Sequence, residues 1–146
     1  MSYDVRATTV DELLAVGQEL FAANWDESGT KARFRLSDDF YRGLAAAGAF
    51  CAVAAWHGTE LVGYAVAMVV PHAHTGESVA NVSTIYVSPP HRGDLHLEIM
   101  RVLGNAADAM GASEVLYAAS PGSPLDLILR RRGCELREHV YVQELV

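Results

Sequence analysis

Two apolar runs set the tightest limit on how this chain can fold. Ala49 to Trp56 carries no polar side chain, and Glu60 to Val70 is almost as apolar. His57-Gly58-Thr59 lies between them as a turn, so the pair reads as a β-hairpin. Rich in alanine and valine, it has no face to offer to water and reads as core. A hairpin of this kind must be covered on both sides, which calls for a sheet between helices.

The flanking periodicities supply those helices. Tyr3 to Thr8 reads as a short strand. Thr9 and Glu12 form a capping box, and Val10, Leu13, Leu14, Gly17, Leu20 and Phe21 continue at helical spacing to about Asn24. A second helix starts at Ser37, with Asp38 and Asp39 in its first turn, and stops near Gly48. After the hairpin, Glu77 to Val87 reads as a strand ended by Ser88-Pro89-Pro90. Asp94 is placed to cap a helix whose apolar face is Leu95, Ile99, Val102, Leu103, Ala106 and Met110, closed by Gly111. Glu114 to Ala119 reads as a short strand. Ser123-Pro124 opens a helix that ends at Gly133, and Cys134 to Val146 reads as a final strand. The expected fold class is α/β with a mixed central sheet, in the order β-α-α-β-β-β-α-β-α-β.

Length and charge narrow the function. At 146 residues and 51% apolar content, one domain spanning 1–146 is expected. The longest unbroken apolar run falls far short of the ~18–20 residues of a spanning helix, so no membrane partner is expected. Met1 to Arg6 lacks the basic cap and apolar stretch of a signal peptide, and a cytoplasmic location is the expectation. The formal charge of −7 argues against a nucleic-acid partner, which would call for a broad basic face. Cys51 and Cys134 have no metal-ligand spacing and read as small apolar fillers.

The segment Ile85-Tyr86-Val87-Ser88-Pro89-Pro90-His91-Arg92-Gly93-Asp94 carries the most chemistry. A strand ends, a glycine lets the backbone approach a ligand, and a helix begins at once. The free N–H groups of that helix start form an anion socket, and Arg92 adds a fixed positive charge; a pyrophosphate is a fitting ligand. A plain β-turn-α connection with a surface arginine is the bland alternative.

This segment, the helix after it, Glu114 to Ser120, the proline-capped helix and Arg132-Gly133-Cys134-Glu135 together resemble the coenzyme-A-binding core of GNAT-type N-acetyltransferases. The order of elements matches along nearly the whole chain. A looser similarity is to phage and bacterial members with a Pro-x-x-His segment, here Pro71-His72-Ala73-His74. The resemblance implies acetyl-CoA as co-substrate, held by Ile85, Tyr86, Val87, Arg92, Gly93, Asp94, Leu95, His96, Leu97, Ser120 and Ser123. It also implies direct transfer of the acetyl group to a primary amine of a small molecule or a peptide. Edge-strand homodimers occur among such proteins, and the final strand is available for one.

This sequence departs from the resembled pattern at two places. The loop reads Arg92-Gly93-Asp94-Leu95-His96-Leu97 where the family has further glycines, so Leu95 and Leu97 stand where small residues let the backbone close on phosphate. Leu129 takes the place of a tyrosine that acts as acid on the leaving thiolate, with Tyr141 as the nearest substitute. These departures keep a second reading open: a GNAT-fold protein without turnover that binds a partner or senses an acyl-CoA.

Proton transfer from the acceptor amine needs a base or a water chain. Period two puts Glu77, Asn81, Ser83 and Ile85 on one strand face. Glu77 is the carboxylate of that face, and Ser83 can orient a water. His74 is a candidate base at the acceptor site. No metal is expected: His72 and His74 have no third ligand nearby, and His57, His91, His96 and His139 are scattered along the sequence. Trp25, with Asn24 and Asp26, falls where the resembled family walls its acceptor pocket.

Overall fold

The computed structural model describes residues 2–145. In chain order it contains β1 (Asp4–Ala7), α1 (Val10–Val16), α2 (Gln18–Ser28), α3 (Asp38–Ala46), β2 (Phe50–His57), β3 (Glu60–Pro71), β4 (Ser78–Val87), a 3₁₀ turn (Pro89–His91), α4 (Leu95–Ala109), β5 (Ala112–Tyr117) and α5 (Pro124–Arg131). The five strands lie in sequence order in one sheet. Neighbours are antiparallel except β4 and β5, which run parallel around the α4 crossover.

The expected hairpin is the centre of this sheet. Val53, Ala54, Ala55, Val62, Ala65, Val66 and Ala67 are fully buried, as strands covered on both faces must be. One face packs on α4 through Leu95, Ile99, Leu103 and Ala107. The other packs on α1 and α2 through Leu13, Leu14 and Phe21, with Tyr64 and Tyr86 contributed by the sheet. Burying a side chain of the size of Ile99 or Leu103 contributes about 1.5–3 kcal/mol. Among the described residues, no helix is long and apolar enough to cross a membrane.

Besides moving the short strand expected over Glu114 to Ala119 to Ala112–Tyr117, the structure revises the sequence reading in three places. The first helix is two helices that meet at Gly17 and together run on to Ser28, past Asn24. The reason is steric. A Cβ at Gly17 would lie 2.6 Å from the Leu13 carbonyl oxygen and 2.7 Å from the Phe21 ring. Glycine alone lets α2 turn onto the core there.

The second revision concerns β4. Val66 pairs with Thr84 and Ala67 with Val82, so Ser83 is an extra, bulged residue. The bulge reverses the alternation: Ala80, Val82, Ile85 and Val87 share the α4 face. Asn81 and Ser83 therefore do not share a face with Ile85 and Val87, as strict period two requires.

The third concerns the tail. From Cys134 to Glu144 and Leu145 no strand forms, and Leu136, Val140, Tyr141, Val142 and Leu145 are 61–90% exposed; Val146 lies outside the described residues. An alternating pattern needs a partner edge to become a strand. This tail meets β5 through the Arg137–Glu114 ion pair at 2.6 Å, without a ladder.

Glycine substitutions test this account. Gly17→Ala should lower stability by about 1–3 kcal/mol, the usual cost of overpacking. Gly104→Ala, in the α4 interior with open space around the new methyl, should raise it by about 0.5–1 kcal/mol. Urea unfolding of both variants checks the opposite signs.

Candidate active site

The parallel ladder between β4 and β5 ends at Val82↔Tyr117. Beyond it β4 continues to Val87, paired only with β3, while the chain after Tyr117 turns away toward α5. The strands diverge, and a cleft of about 700 Å³ opens between them. Its sheet wall is Ser83, Thr84 and Ile85 on one side and Ala118, Ala119 and Ser120 on the other. α2 and the connection to α3 form the opposite wall with Asn24, Trp25, Arg33 and Arg35. The Trp25 indole N–H donates to the Ala32 carbonyl at 2.8 Å and holds that connection in place.

A polar network lies in the cleft. Asn24 Nδ2 donates to Thr84 Oγ1 at 2.7 Å and to the Tyr64 hydroxyl at 3.1 Å, and the two hydroxyls are 3.3 Å apart. Burial pushes the Tyr64 phenol above the ordinary tyrosine range. It therefore remains a hydroxyl through neutral pH and acts as a hydrogen-bonding group rather than a base. The sequence puts Asn24 where the resemblance implies an acceptor wall, and it shows the Tyr64 strand only as core. The three residues are far apart in sequence, and no periodicity links them.

At the far end of β4 the helix start is open. Asp94 occupies the N-cap position of α4, yet its carboxylate accepts no helix N–H, which corrects the capping role expected of it. Its carbonyl takes the Leu97 and Glu98 N–H groups. Among the described residues, the Leu95 and His96 N–H groups have no acceptor, as at any uncapped helix start. A Cβ built on Gly93 meets nothing within 4 Å, so its backbone is approachable. The Leu95 side chain is 5% exposed and packs into the core beneath α4. Leu97 is half-buried. Neither lines the cleft.

Arg92 is tied into this corner. Its Nε donates to the Val87 carbonyl at 2.9 Å and its Nη2 to Glu27 of α2 at 2.6 Å. Its guanidinium lies 5.5 Å from the centre of the Tyr86 ring. The hydrogen bond from Arg92 holds the Glu27 carboxyl below its usual range. Both side chains are nearly half exposed, so solvent screens the pair and it adds little to stability. Desolvation lowers the His96 imidazole below its usual range.

The other expected site residues fall as follows. Ile85, Ser83, Ser120 and Ser123 line the cleft. Ser83 Oγ donates to the Val66 carbonyl at 3.1 Å, and Ser123 Oγ accepts the Asp126 N–H as the cap of α5. The Tyr86 and Val87 side chains are buried in opposite cores. Glu77 and His74 sit on the exposed turn before β4, at the end of the strand away from the loop, and the structure does not bring them to the cleft. Tyr141 is 88% exposed on the tail and does not reach it either. Burial raises the Cys51 thiol, consistent with a filler.

The parallel pair splits at Val82 and Tyr117, and β4 leads on to an uncapped helix start that lies outside the lining of the cleft. The comparisons agree with that architecture. The profile of the acetyltransferase (GNAT) family matches residues 15–94, more than half of the chain, and the chain belongs to that family. Solved structures share the fold. A ribosomal-protein-alanine N-acetyltransferase from Brucella melitensis biovar Abortus 2308 superposes with a TM-score of 0.79 at 22% identity, covering 100% of this chain and 99% of that one. An aminoglycoside acetyltransferase from an uncultured soil metagenomic sample gives 0.78 at 21% identity, with 100% and 99% covered. Glucosamine-6-phosphate N-acetyltransferase from Arabidopsis thaliana gives 0.74 at 10% identity, with 100% of both chains covered. No curated protein matches the sequence.

Tyr117, the last ladder residue, gives the split a pH signature. Burial, followed by the nearby Cys134, pushes its phenol up to about 12 from 10.0. A raised folded-state value means that the folded protein holds the proton more tightly than the unfolded chain. Stability from this group is complete below pH 10 and is lost as pH rises toward 12. Tyr117→Phe should flatten that alkaline decline in urea midpoints, whereas an unchanged slope would place the titration elsewhere.

Proposed function

We propose that this protein transfers the acetyl group of acetyl-CoA to the primary amine of a small molecule or peptide. The observation that carries this reading is the split β4–β5 ladder opening beside the uncapped α4 start, with Leu95 turned into the core instead of into the gap. The residues fit the co-substrate. The Leu95 and His96 N–H groups, Gly93 and the remaining Arg92 donors would hold its pyrophosphate. The open edge of β4 from Ser83 to Val87 would take the amide arm by strand-like pairing. When bound, acetyl-CoA supplies a thioester that the amine attacks directly.

The chain's own part is to position the acceptor and remove its proton. Thr84, Asn24 and Tyr64 offer hydroxyl and amide groups on which an amine or a bridging water can be oriented. No carboxylate or histidine of the described residues lines the cleft. Tyr41 and Tyr64 are both shifted up by burial and are poor bases. The amine therefore enters neutral or passes its proton to water, and orientation is the larger contribution.

The cleft also points to a class of acceptor. Its only charged lining residues are Arg33 and Arg35, and neither has an ion pair among the described residues. The net charge of −7, taken alone, favours cationic amines, but the local field at the cleft has the opposite sign. An amine that also bears a carboxylate or phosphate fits this lining; a polycation does not. The second reading, an acyl-CoA-binding protein without turnover, draws on the same lack of a carboxylate and on Leu129 in α5.

Three measurements bear on this. Acetyl-CoA should raise the melting temperature. Arg92→Ala should weaken acetyl-CoA by about 10-fold or more, the value of a charge-assisted hydrogen bond. Glu27→Gln should leave binding intact, because it frees the guanidinium. Equal losses in both variants would reduce Arg92 to a structural tie. Thiol release across a panel of amines should give higher kcat/KM for acceptors bearing an acid group, with Arg33→Ala/Arg35→Ala raising KM for those alone. A melting shift without thiol release from any amine would favour the binding protein.

A further inference from the structure

The six histidines look scattered along the chain, but folding brings two of them together with a carboxylate. His57 ends β2 and Glu60 begins β3; they are partners across the two-residue turn at Gly58-Thr59. His91 ends the 3₁₀ turn after β4. That turn is fastened to the same hairpin, because the Ser88 N–H donates to the Val62 carbonyl at 2.8 Å and the His91 N–H to the Ser88 carbonyl at 2.9 Å. One ligand atom from each of His57, Glu60 and His91 lies within 4.8 Å of the other two. The imidazole centres are 5.3 Å apart.

We propose that His57, Glu60 and His91 form a binding site for a divalent transition metal of the zinc class. Three features support it. The donor set is two imidazoles and one carboxylate, which suits zinc with a water in the fourth position; magnesium and calcium prefer oxygen alone. The spacing suits an ion more than direct contact. No ion pair joins Glu60 to either histidine among the described residues. Tetrahedral ligands at zinc distances stand about 3.3 Å apart, so closing on an ion needs a side-chain movement of about 1.5 Å or less.

The third feature is the contact behind the ligands. The Tyr3 hydroxyl lies 3.1 Å from His91 Nδ1, and the Tyr3 ring packs against both imidazoles at 5.7 Å. With Nδ1 engaged, Nε2 is the nitrogen the ring has left to offer. A hydrogen bond on the far nitrogen is the usual way a ligating histidine is oriented. Both imidazoles are half-buried while Glu60 is exposed, so an ion has access from solvent. A bound ion would clamp the β2–β3 turn to the segment that leads directly into Arg92 and Gly93. The site stands on its own geometry and does not depend on what the cleft binds.

The test uses untagged full-length protein stripped with a chelator and titrated with Zn²⁺ against a chromophoric competitor. One equivalent should bind with micromolar affinity or better, and Co²⁺ should give the intense visible bands of a four-coordinate site. His57→Ala and His91→Ala should each weaken Zn²⁺ by at least about 100-fold, and Tyr3→Phe by about 10-fold. The double variant His72→Ala/His74→Ala should bind as the wild type does. Should a histidine variant fail to fold, ring chemical shifts of the wild type settle the matter, since Zn²⁺ must perturb His57 and His91 first. Binding weaker than about millimolar, binding unchanged in the folded single variants, or shifts confined to other histidines would overturn the assignment.

Discussion

Where the parallel ladder between β4 and β5 ends decides the rest of the structure. Two parallel strands that stay paired give a closed sheet and no site. Here pairing stops at Val82↔Tyr117, and β4 runs five residues further with one edge bare. Bare strand edges are unstable unless water, a ligand or another chain satisfies them. The fold keeps this one open by sending the chain after Tyr117 away into a loop. That loop is stopped by the Ser123–Asp126 cap and by the Gly122 N–H bonded to Asp126. The bulge at Ser83 falls one residue past the split. It turns Thr84 toward Asn24 and Tyr64 while returning Ile85 and Val87 to the α4 core, so the cleft wall and the packed core come from one continuous strand.

The sequence makes this frame legible to different depths. The hairpin, α4 and the strand–turn–glycine–helix corner can all be read, because long apolar runs and 3.6-residue periodicity follow directly from burial. The break at Gly17 cannot, since an isolated glycine in a helical pattern is ambiguous until the Phe21 ring that needs the space is known. The bulge at Ser83 leaves no local mark, yet one extra residue changes the face of every residue after it. That is why Ile85 and Val87 turn to the α4 side, away from the face of Asn81, while Glu77 misses the cleft for another reason: it lies before the strand begins, on a solvated turn at the opposite end. The tail shows the reverse failure: Val140, Tyr141 and Val142 have strand propensity, but propensity without a partner edge does not make a strand.

The corner at Arg92 shows how a loop poor in glycine can keep an open helix start. Leu95 looks like an obstruction when compared with a glycine-rich pattern. In the fold its side chain points away from the N–H groups of its own helix turn, because side chains at the first buried position of α4 face the sheet. The core gains an apolar anchor from the residue that seemed to close the site. The loop backbone is instead held from outside by Arg92, bound to Val87 on one strand and to Glu27 on α2. A leucine anchored in the core and an arginine tied to two elements support this helix start without further glycines. The opposite side of the same loop begins at His91, so whatever fixes that imidazole also fixes the approach to Gly93.

Charge makes a final point about scale. The chain is acidic by seven charges, and whole-molecule fields do affect solubility and encounter. At physiological ionic strength, however, exposed charges are screened over about 8 Å. A bound ligand therefore responds to its own wall. Among the described residues, no acidic group lines this cleft, Arg33 and Arg35 do, and Glu27 is occupied by Arg92. The arginine wall favours negative charge inside the cleft, and the open helix start favours it beyond the end of β4, outside the cleft lining. The proposal of an amine with an anionic body rests on this local field and not on the net charge, since a positive body would have to be desolvated against two arginines.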